Sequence, residues 1–290
     1  MSEIVIQARE ARISEYLSVK RILPFRQRRM VGPFVFIDHA GPVHEFPQEI
    51  AKMDVLPHPH IGLSTVSYLF NGKITHRDSL GVEQVILPGE VNWMTAGKGI
   101  SHSERFEDAA FLQKNSLELI QTWVALPEES EETEPTFVNY KSDQLPVLND
   151  NGVSMRVLAG QVYGITSDVK TLSPLFYAHL KFAHKAKLNL PTGYTERALY
   201  VARGGVEVKG QSYSKGQLIV FSKTDNPDII ATEETECMLL GGEPLGQRFI
   251  WWNFVSSRKE RIEQAKHDWK NGNIILPPND QNEFIPLPEI

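Results

Sequence analysis

A single cysteine, Cys237, in 290 residues excludes an intrachain disulfide framework and any zinc or iron–sulfur site built from several thiolates. No apolar run approaches the ~20 residues of a membrane-crossing helix. Met1-Ser2-Glu3-Ile4 lacks the charged and then apolar pattern of a secretory leader. We therefore expect a soluble, cytoplasmic protein with no membrane partner. Nor is there an excess of positive charge: 30 Lys and Arg stand against 36 Asp and Glu, a formal net charge of −6, with a pI near 5.9. That balance argues against direct nucleic-acid binding by phosphate neutralisation and leaves contact with a protein partner open. A Gly-rich phosphate loop between strand and helix is missing, as is a G-x-S-x-G nucleophile turn. What is present is globular, 41% hydrophobic and 23% charged, at a length of roughly two domains.

Short strand-like segments fill most of the chain. Gly32-Pro33, Gly41-Pro42, Asn71-Gly72, Pro88-Gly89 and Gly97-Lys98-Gly99 divide the first half into pieces of strand length. Val66, Tyr68 and Phe70 alternate with Ser67 and Leu69, the two-residue period of a strand. Asn71-Gly72 is expected to close a two-residue hairpin, because Asn and Gly adopt positive φ at little cost. Strand-like stretches resume over 175–182, 197–202, 206–209, 217–221 and 236–240. One helix is legible near the end. Ser257 and Glu260 have capping-box spacing, Ile262, Ala265 and Trp269 recur at helical intervals, and Asn271-Gly272 closes the segment. Glu128-Glu129-Ser130-Glu131-Glu132-Thr133-Glu134-Pro135 carries five acids in eight residues and reads as a solvated loop joining two domains. The expected organisation is all-β, sandwich or barrel. A first domain spans 1–130, an acidic connection 131–150, and a similar β-domain 151–290, ending in the helix.

Two short motifs carry chemistry. In Pro57-His58-Pro59-His60 the imidazoles are two apart, so on a strand they share a face roughly 6–7 Å apart. Pro59 between them disfavours helix. Ser101-His102-Ser103-Glu104 repeats the spacing with a carboxylate as its second member, and Gly97-Lys98-Gly99 before it permits a tight turn. Three imidazoles and a carboxylate suit a mid-series divalent ion with positions left for water, O2 or substrate. The alternative is that His102 and Glu104 form a local polar pair in a turn.

Pro57-His58-Pro59-His60-Ile61-Gly62, Thr65-Val66-Ser67-Tyr68-Leu69 and His76-Arg77-Asp78-Ser79-Leu80-Gly81 resemble the pirin family. So do Asn92-Trp93-Met94-Thr95-Ala96-Gly97-Lys98-Gly99-Ile100-Ser101-His102-Ser103-Glu104, Gly241-Gly242-Glu243-Pro244 and the run from Phe249 to Ser257. The resemblance implies a bicupin, two cupin-type β-barrels in tandem, with iron in the N-terminal barrel on His58, His60, His102 and Glu104. The commoner pirin pattern has Arg and Glu where this chain has Ile61 and Ser64. Strand parity from His60 puts Ser64 on the ligand face, where its loss of charge is expected to change the pocket's polarity rather than its metal.

Other polar residues receive structural readings. His39 and His44 flank Gly41-Pro42 and read as exposed turn histidines; His76-Arg77-Asp78 reads as a hairpin rim with local ion pairing. Trp251-Trp252 reads as packing, Trp93 and Met94 as pocket wall or barrel core, and Cys237 as a buried inert thiol. His179 and His184 are five apart, and Glu196 and His267 lack imidazole partners nearby, so the second barrel is expected to hold no metal.

The resemblance implies two functional classes. One is a metal-dependent dioxygenase that opens a flavonol such as quercetin with O2 and releases carbon monoxide. Fe(II) is then the expected ion, with Ni, Cu, Zn, Mn or Co as substitutes, and Glu104 is the candidate acceptor of the substrate's hydroxyl proton. The other is an iron-binding redox-sensing regulator acting through protein partners. Flavonol-dependent O2 uptake separates them.

Overall fold

The computed structural model describes residues 4–289. Four strands open the chain: β1 (Ile4–Gln7), β2 (Arg9–Arg12), β3 (Ser18–Leu23) and β4 (Phe34–Val43). Six follow: β5 (Val55–His60), β6 (Leu63–Asn71), β7 (Ile74–Asp78), β8 (Glu83–Ile86), β9 (Val91–Thr95) and β10 (Ile100–Arg105). Helix α1 (Ala109–Asn115) leads to β11 (Leu117–Ala125) and β12 (Thr136–Tyr140). The next strands are β13 (Val147–Asp150), β14 (Val153–Val162), β15 (Ile165–Thr166), β16 (Leu175–Phe182), β17 (Lys187–Asn189) and β18 (Glu196–Arg203). Then come β19 (Gly205–Val208), β20 (Gln211–Ser214), β21 (Gln217–Phe221), β22 (Asp228–Ala231) and β23 (Thr235–Gly242). A hairpin of β24 (Phe249–Trp251) and β25 (Phe254–Ser256) precedes helix α2 (Lys259–Lys270). The all-β class is as expected. No helix among the described residues is long and apolar enough to cross a membrane.

The strands form two compact units that are not contiguous in sequence. One comprises the chain up to Arg9, Lys20–Ile37 and Asp143–Pro244; the other comprises Glu10–Val19, Asp38–Ser142 and the chain from Leu245 onward. The 151–290 span expected as one domain is thus divided. Helix α2 belongs with residues 38–142, because its apolar stripe of Ile262, Ala265 and Trp269 clusters with Ile61, Phe254 and Ile274.

In the 143–244 unit, a large sheet of order β1-β21-β18-β23-β16-β14-β13 accompanies a smaller one, β17-β22-β19-β20. In their shared core Leu180, Leu199, Val201, Ile219 and Leu239 pack with Val206, Val208 and Ile229. Cys237 lies in this core, where burial raises its thiol pKa and keeps it protonated.

The 38–142 unit faces a four-stranded sheet, β5-β10-β7-β8, with a sheet in which β12, β9, β6 and β11 are successive neighbours. The inward positions change character along each strand. Leu69, Leu119 and Ile74 join an apolar cluster at one end. Two and four residues along, the same faces carry Ser67 and Thr65, Gln121 and Trp123, and His76 and Asp78. One end of this unit is therefore an ordinary core and the other is polar.

Three local features differ from the sequence expectations. Asn71-Gly72 does not close a hairpin: β6 pairs with β9 and β11, and β7 with β8 and β10, so the turn carries the chain between sheets. The capping box does not form. Ser257 Oγ bonds Glu131 instead, and α2 starts at an Arg258 N-cap without a side-chain bond. Nor is the acidic run wholly solvated. Glu131 is 2% exposed because it meets Arg248 Nε at 3.2 Å and accepts from Ser256 Oγ and the Ser257 amide, each at 2.7 Å.

Candidate metal centre

The two-residue period of β5 and β10 places His58, His60, His102 and Glu104 on inward faces. The β5–β10 register sets His102 opposite His58, and the β10–β7 register sets it opposite Asp78. The ends of these strands are fixed by a close backbone crossing. Gly62 donates to the Gly97 carbonyl at 2.9 Å. Both glycines have positive φ, and a Cβ would lie 2.0 Å from Val255 O at Gly62 and 1.9 Å from Thr133 O at Gly97. Only glycine fits either position.

Ring nitrogens of His58, His60 and His102 lie within 4.8 Å of one another. The residues are 7%, 1% and 2% exposed. His58 Nδ1 donates to Leu56 O at 2.9 Å and His60 Nδ1 to Asn253 O at 3.2 Å. A neutral imidazole that donates from Nδ1 keeps its lone pair at Nε2. His60 Nε2 faces His102 Nε2 at 3.1 Å. Burial lowers all three pKa values, His58 to about 4 and His60 and His102 well below the ordinary histidine range, with neighbouring imidazoles adding to the effect at His60 and His102. They are neutral at pH 7, the form that ligates metal. Three buried imidazoles with ring nitrogens this close, two of them with Nε2 atoms 3.1 Å apart, make a donor set that a divalent ion fits.

The structure brings three of the four candidate ligands into one cluster. Glu104 lies outside it. A bulge between His102 and Glu104 breaks the β5–β10 register, leaving Glu104 opposite Val55. Its Oε1 accepts from Gln121 Nε2 at 2.6 Å, and burial raises its pKa to about 7. The opposing sheet supplies aromatic neighbours. Trp123 meets the His60 ring edge-on at 5.2 Å, and Phe137 stacks on His76 at 4.3 Å.

Several residues differ from their sequence readings. His76 and Asp78 are buried beside the cluster rather than on a rim, with His76 Nε2 3.0 Å from Asp78 Oδ2 and His76 Nδ1 3.3 Å from His102 Nδ1. His39 is fully buried on β4 and bonds Glu118 at 3.0 Å, because residues 34–43 continue as one strand; His44 is exposed. Met94 shares a cross-strand row with Thr65 and Phe137, while Trp93 alternates to the other face. In the other unit, His179 pairs with Glu236 at 2.9 Å, and Glu196 accepts from the Gly32 amide at 2.6 Å and pairs with Arg28.

Residues 16–124 match the Pirin family model, and residues 177–275 match the Pirin C-terminal cupin domain. A pirin-like protein of Caulobacter vibrioides is 50% identical over 100% of both chains. This chain belongs to the pirin family. Its solved relatives include a quercetin 2,3-dioxygenase from Acinetobacter baumannii, 33% identical, with a TM-score of 0.90 over 99% of this chain and 95% of that one. A bacterial pirin from Escherichia coli, solved with nickel(II), shares the fold at 17% identity and a TM-score of 0.64, covering 84% of this chain and 100% of that one.

Neither departure from the commoner pirin pattern alters the histidine cluster. Ile61 is buried in the apolar cluster with Phe254 and Ile262. Ser64 is not in phase with His60, because the turn at Gly62 separates β5 from β6. It pairs with Val124 and Thr95, and its Oγ lies 3.0 Å from Thr95 Oγ1. Thr65 and Ser67 instead occupy the positions on the face that carries Trp123 and Gln121. Ser64→Ala is accordingly expected to keep the full metal complement and lose only about 0.5–1.5 kcal/mol of stability through the hydroxyl pair. Elemental analysis and urea unfolding check both parts.

Proposed function

We propose that this pirin is a metal-dependent dioxygenase that cleaves a flavonol such as quercetin with O2. One divalent ion, Fe(II) by preference, would be held by His58, His60 and His102, with Glu104 as the fourth ligand. The observation that carries the reading is the convergence of three buried, neutral imidazoles. Likeness to the Acinetobacter baumannii dioxygenase supports the reaction class. A bound ion supplies positive charge that favours the ionised form of a flavonol hydroxyl brought beside it.

The chain's own residues orient and protect that chemistry. Gln121 holds Oε1 of Glu104 in place, and this carboxylate is the acceptor we propose for the substrate's hydroxyl proton. Trp123 and Phe137 give the polar end of the unit aromatic walls that exclude water and suit a flat substrate. Ni, Cu, Zn, Mn or Co would occupy the same donors, so the metal found after purification will follow availability as well as affinity.

The test is anaerobic purification, loading with Fe(II), and addition of quercetin in air. Oxygen uptake and carbon monoxide release in step with flavonol loss are expected. Stoichiometric Fe(II) binding without O2 uptake on any flavonol would overturn the enzyme reading in favour of a redox-sensing regulator.

A further inference from the structure

We infer that His76 and Asp78 form a buried relay that fixes the tautomer of His102 and thereby aims its Nε2 lone pair into the metal cluster. The inference rests on the metal reading above and adds two positioning residues to it. Asp78 is fully buried at the end of β7. Its Oδ1 accepts from the amides of Leu80 at 2.9 Å and Val82 at 3.1 Å, which pins the carboxylate in a turn. Its Oδ2 lies 3.0 Å from His76 Nε2. A carboxylate in this setting accepts, so His76 donates from Nε2.

The relay takes His76 as the tautomer whose one N–H goes to Asp78, so that its Nδ1 keeps its lone pair. That atom lies 3.3 Å from His102 Nδ1. In the relay the shared hydrogen sits on His102 Nδ1, leaving Nε2 unprotonated toward the cluster, 3.1 Å from His60 Nε2. Two further contacts hold the relay still. Phe137 stacks on His76 with 17° between the planes, and the β10–β7 register keeps His102 opposite Asp78. His58 and His60 achieve the same tautomer with backbone carbonyls, which can only accept. His102 uses two side chains, so its orientation, unlike theirs, can be reversed by one substitution.

Asp78→Asn is that substitution. The amide oxygen still accepts from Leu80 and Val82, but its NH2 now faces His76. His76 must then accept at Nε2 and donate from Nδ1, and His102 must accept at Nδ1 and carry its hydrogen at Nε2, pointing into the metal position. Metal-free full-length protein is titrated with Co(II) and followed by visible absorption, and ¹⁵N shifts of labelled histidines report the tautomers. Asp78→Asn is expected to weaken Co(II) binding about 10–100-fold and to move the His102 hydrogen from Nδ1 to Nε2. His76→Phe should weaken binding similarly. His76→Gln should stay within ~3-fold of wild type, because its amide accepts from His102 and donates to Asp78.

Unchanged Co(II) affinity and an unmoved His102 hydrogen in Asp78→Asn would overturn the relay. So would equal losses in His76→Phe and His76→Gln, a comparison that decides the matter alone if Asp78→Asn fails to fold. A wild-type chain that binds no Co(II) would overturn the metal reading, while the ¹⁵N shifts would still decide the relay.

Discussion

His102→Ala is expected to lose both bound metal and flavonol-dependent O2 uptake, the largest functional effect of any single substitution in this chain. His102 sits on the middle strand of β5-β10-β7, and its ring contacts those of His58, His60 and His76 at centroid distances of 4.4, 5.0 and 5.2 Å. Its removal leaves two imidazoles and a carboxylate, one oxygen of which is engaged by Gln121. The loss of affinity should exceed the ~10–100-fold that follows removal of a supporting group, because a donor atom itself is gone. The apo protein should remain folded, since the variant also removes a lone pair facing His60 Nε2 at 3.1 Å. Elemental analysis of protein loaded with Fe(II), an oxygen electrode and a thermal melt of the apo forms measure the three parts. Wild-type metal content in His102→Ala would show that the cluster is not the metal centre.

The clustered histidines are legible in the sequence because a strand repeats every two residues. His58-x-His60 declares a shared face without knowledge of the partner strand. His76-x-Asp78 has the same spacing, yet its role depends on pairing that the sequence does not display. Read as one arm of a hairpin at Asn71-Gly72, it becomes a rim; paired with β10, it lies against His102. Ser64 misleads for a related reason. Parity counted from His60 assumes an unbroken strand, and the turn at Gly62, where positive φ and the nearby Val255 carbonyl admit only glycine, resets the phase. Glu104 is intermediate: its face follows from spacing, but the shifted register that sets it opposite Val55 is a property of the β5 partnership. The all-β class and α2's buried stripe follow from periodicity. The unit to which α2 belongs depends on contacts with Ile61 and Phe254, far away in sequence.

Glu131→Ala is expected to produce the largest loss of stability among the polar positions, about 3–5 kcal/mol. Composition places Glu131 in a solvated acidic loop, and its four acidic neighbours Glu128, Glu129, Glu132 and Glu134 are indeed exposed. Glu131 differs because its partners arrive from the far end of the chain. Arg248 and Glu131 side chains are 4% and 2% exposed and 3.2 Å apart. Arg248 also donates to the carbonyls of Leu126, Leu245 and Gln247. Truncating Glu131 leaves those carbonyl bonds but strands a buried guanidinium without its counter-charge, and it orphans the Ser257 amide and the Ser256 hydroxyl. Breaking one half of a buried pair costs far more than the pair contributes over an apolar substitute. Glu131→Gln keeps one acceptor oxygen, for the Ser256 hydroxyl or the Ser257 amide, but loses the charge and turns the other oxygen into an NH2 group, so its cost should fall between that of wild type and Ala. The effect should also reach the metal centre. Glu131 ties down the end of β25, three residues beyond Asn253, whose carbonyl fixes the His60 tautomer. Urea unfolding of apo wild type, Glu131→Ala and Glu131→Gln, with Co(II) titration of each folded form, measures both consequences. A Glu131→Ala protein within about 1 kcal/mol of wild type, the range of an exposed ion pair, would show that the segment behaves as the solvated loop its composition describes.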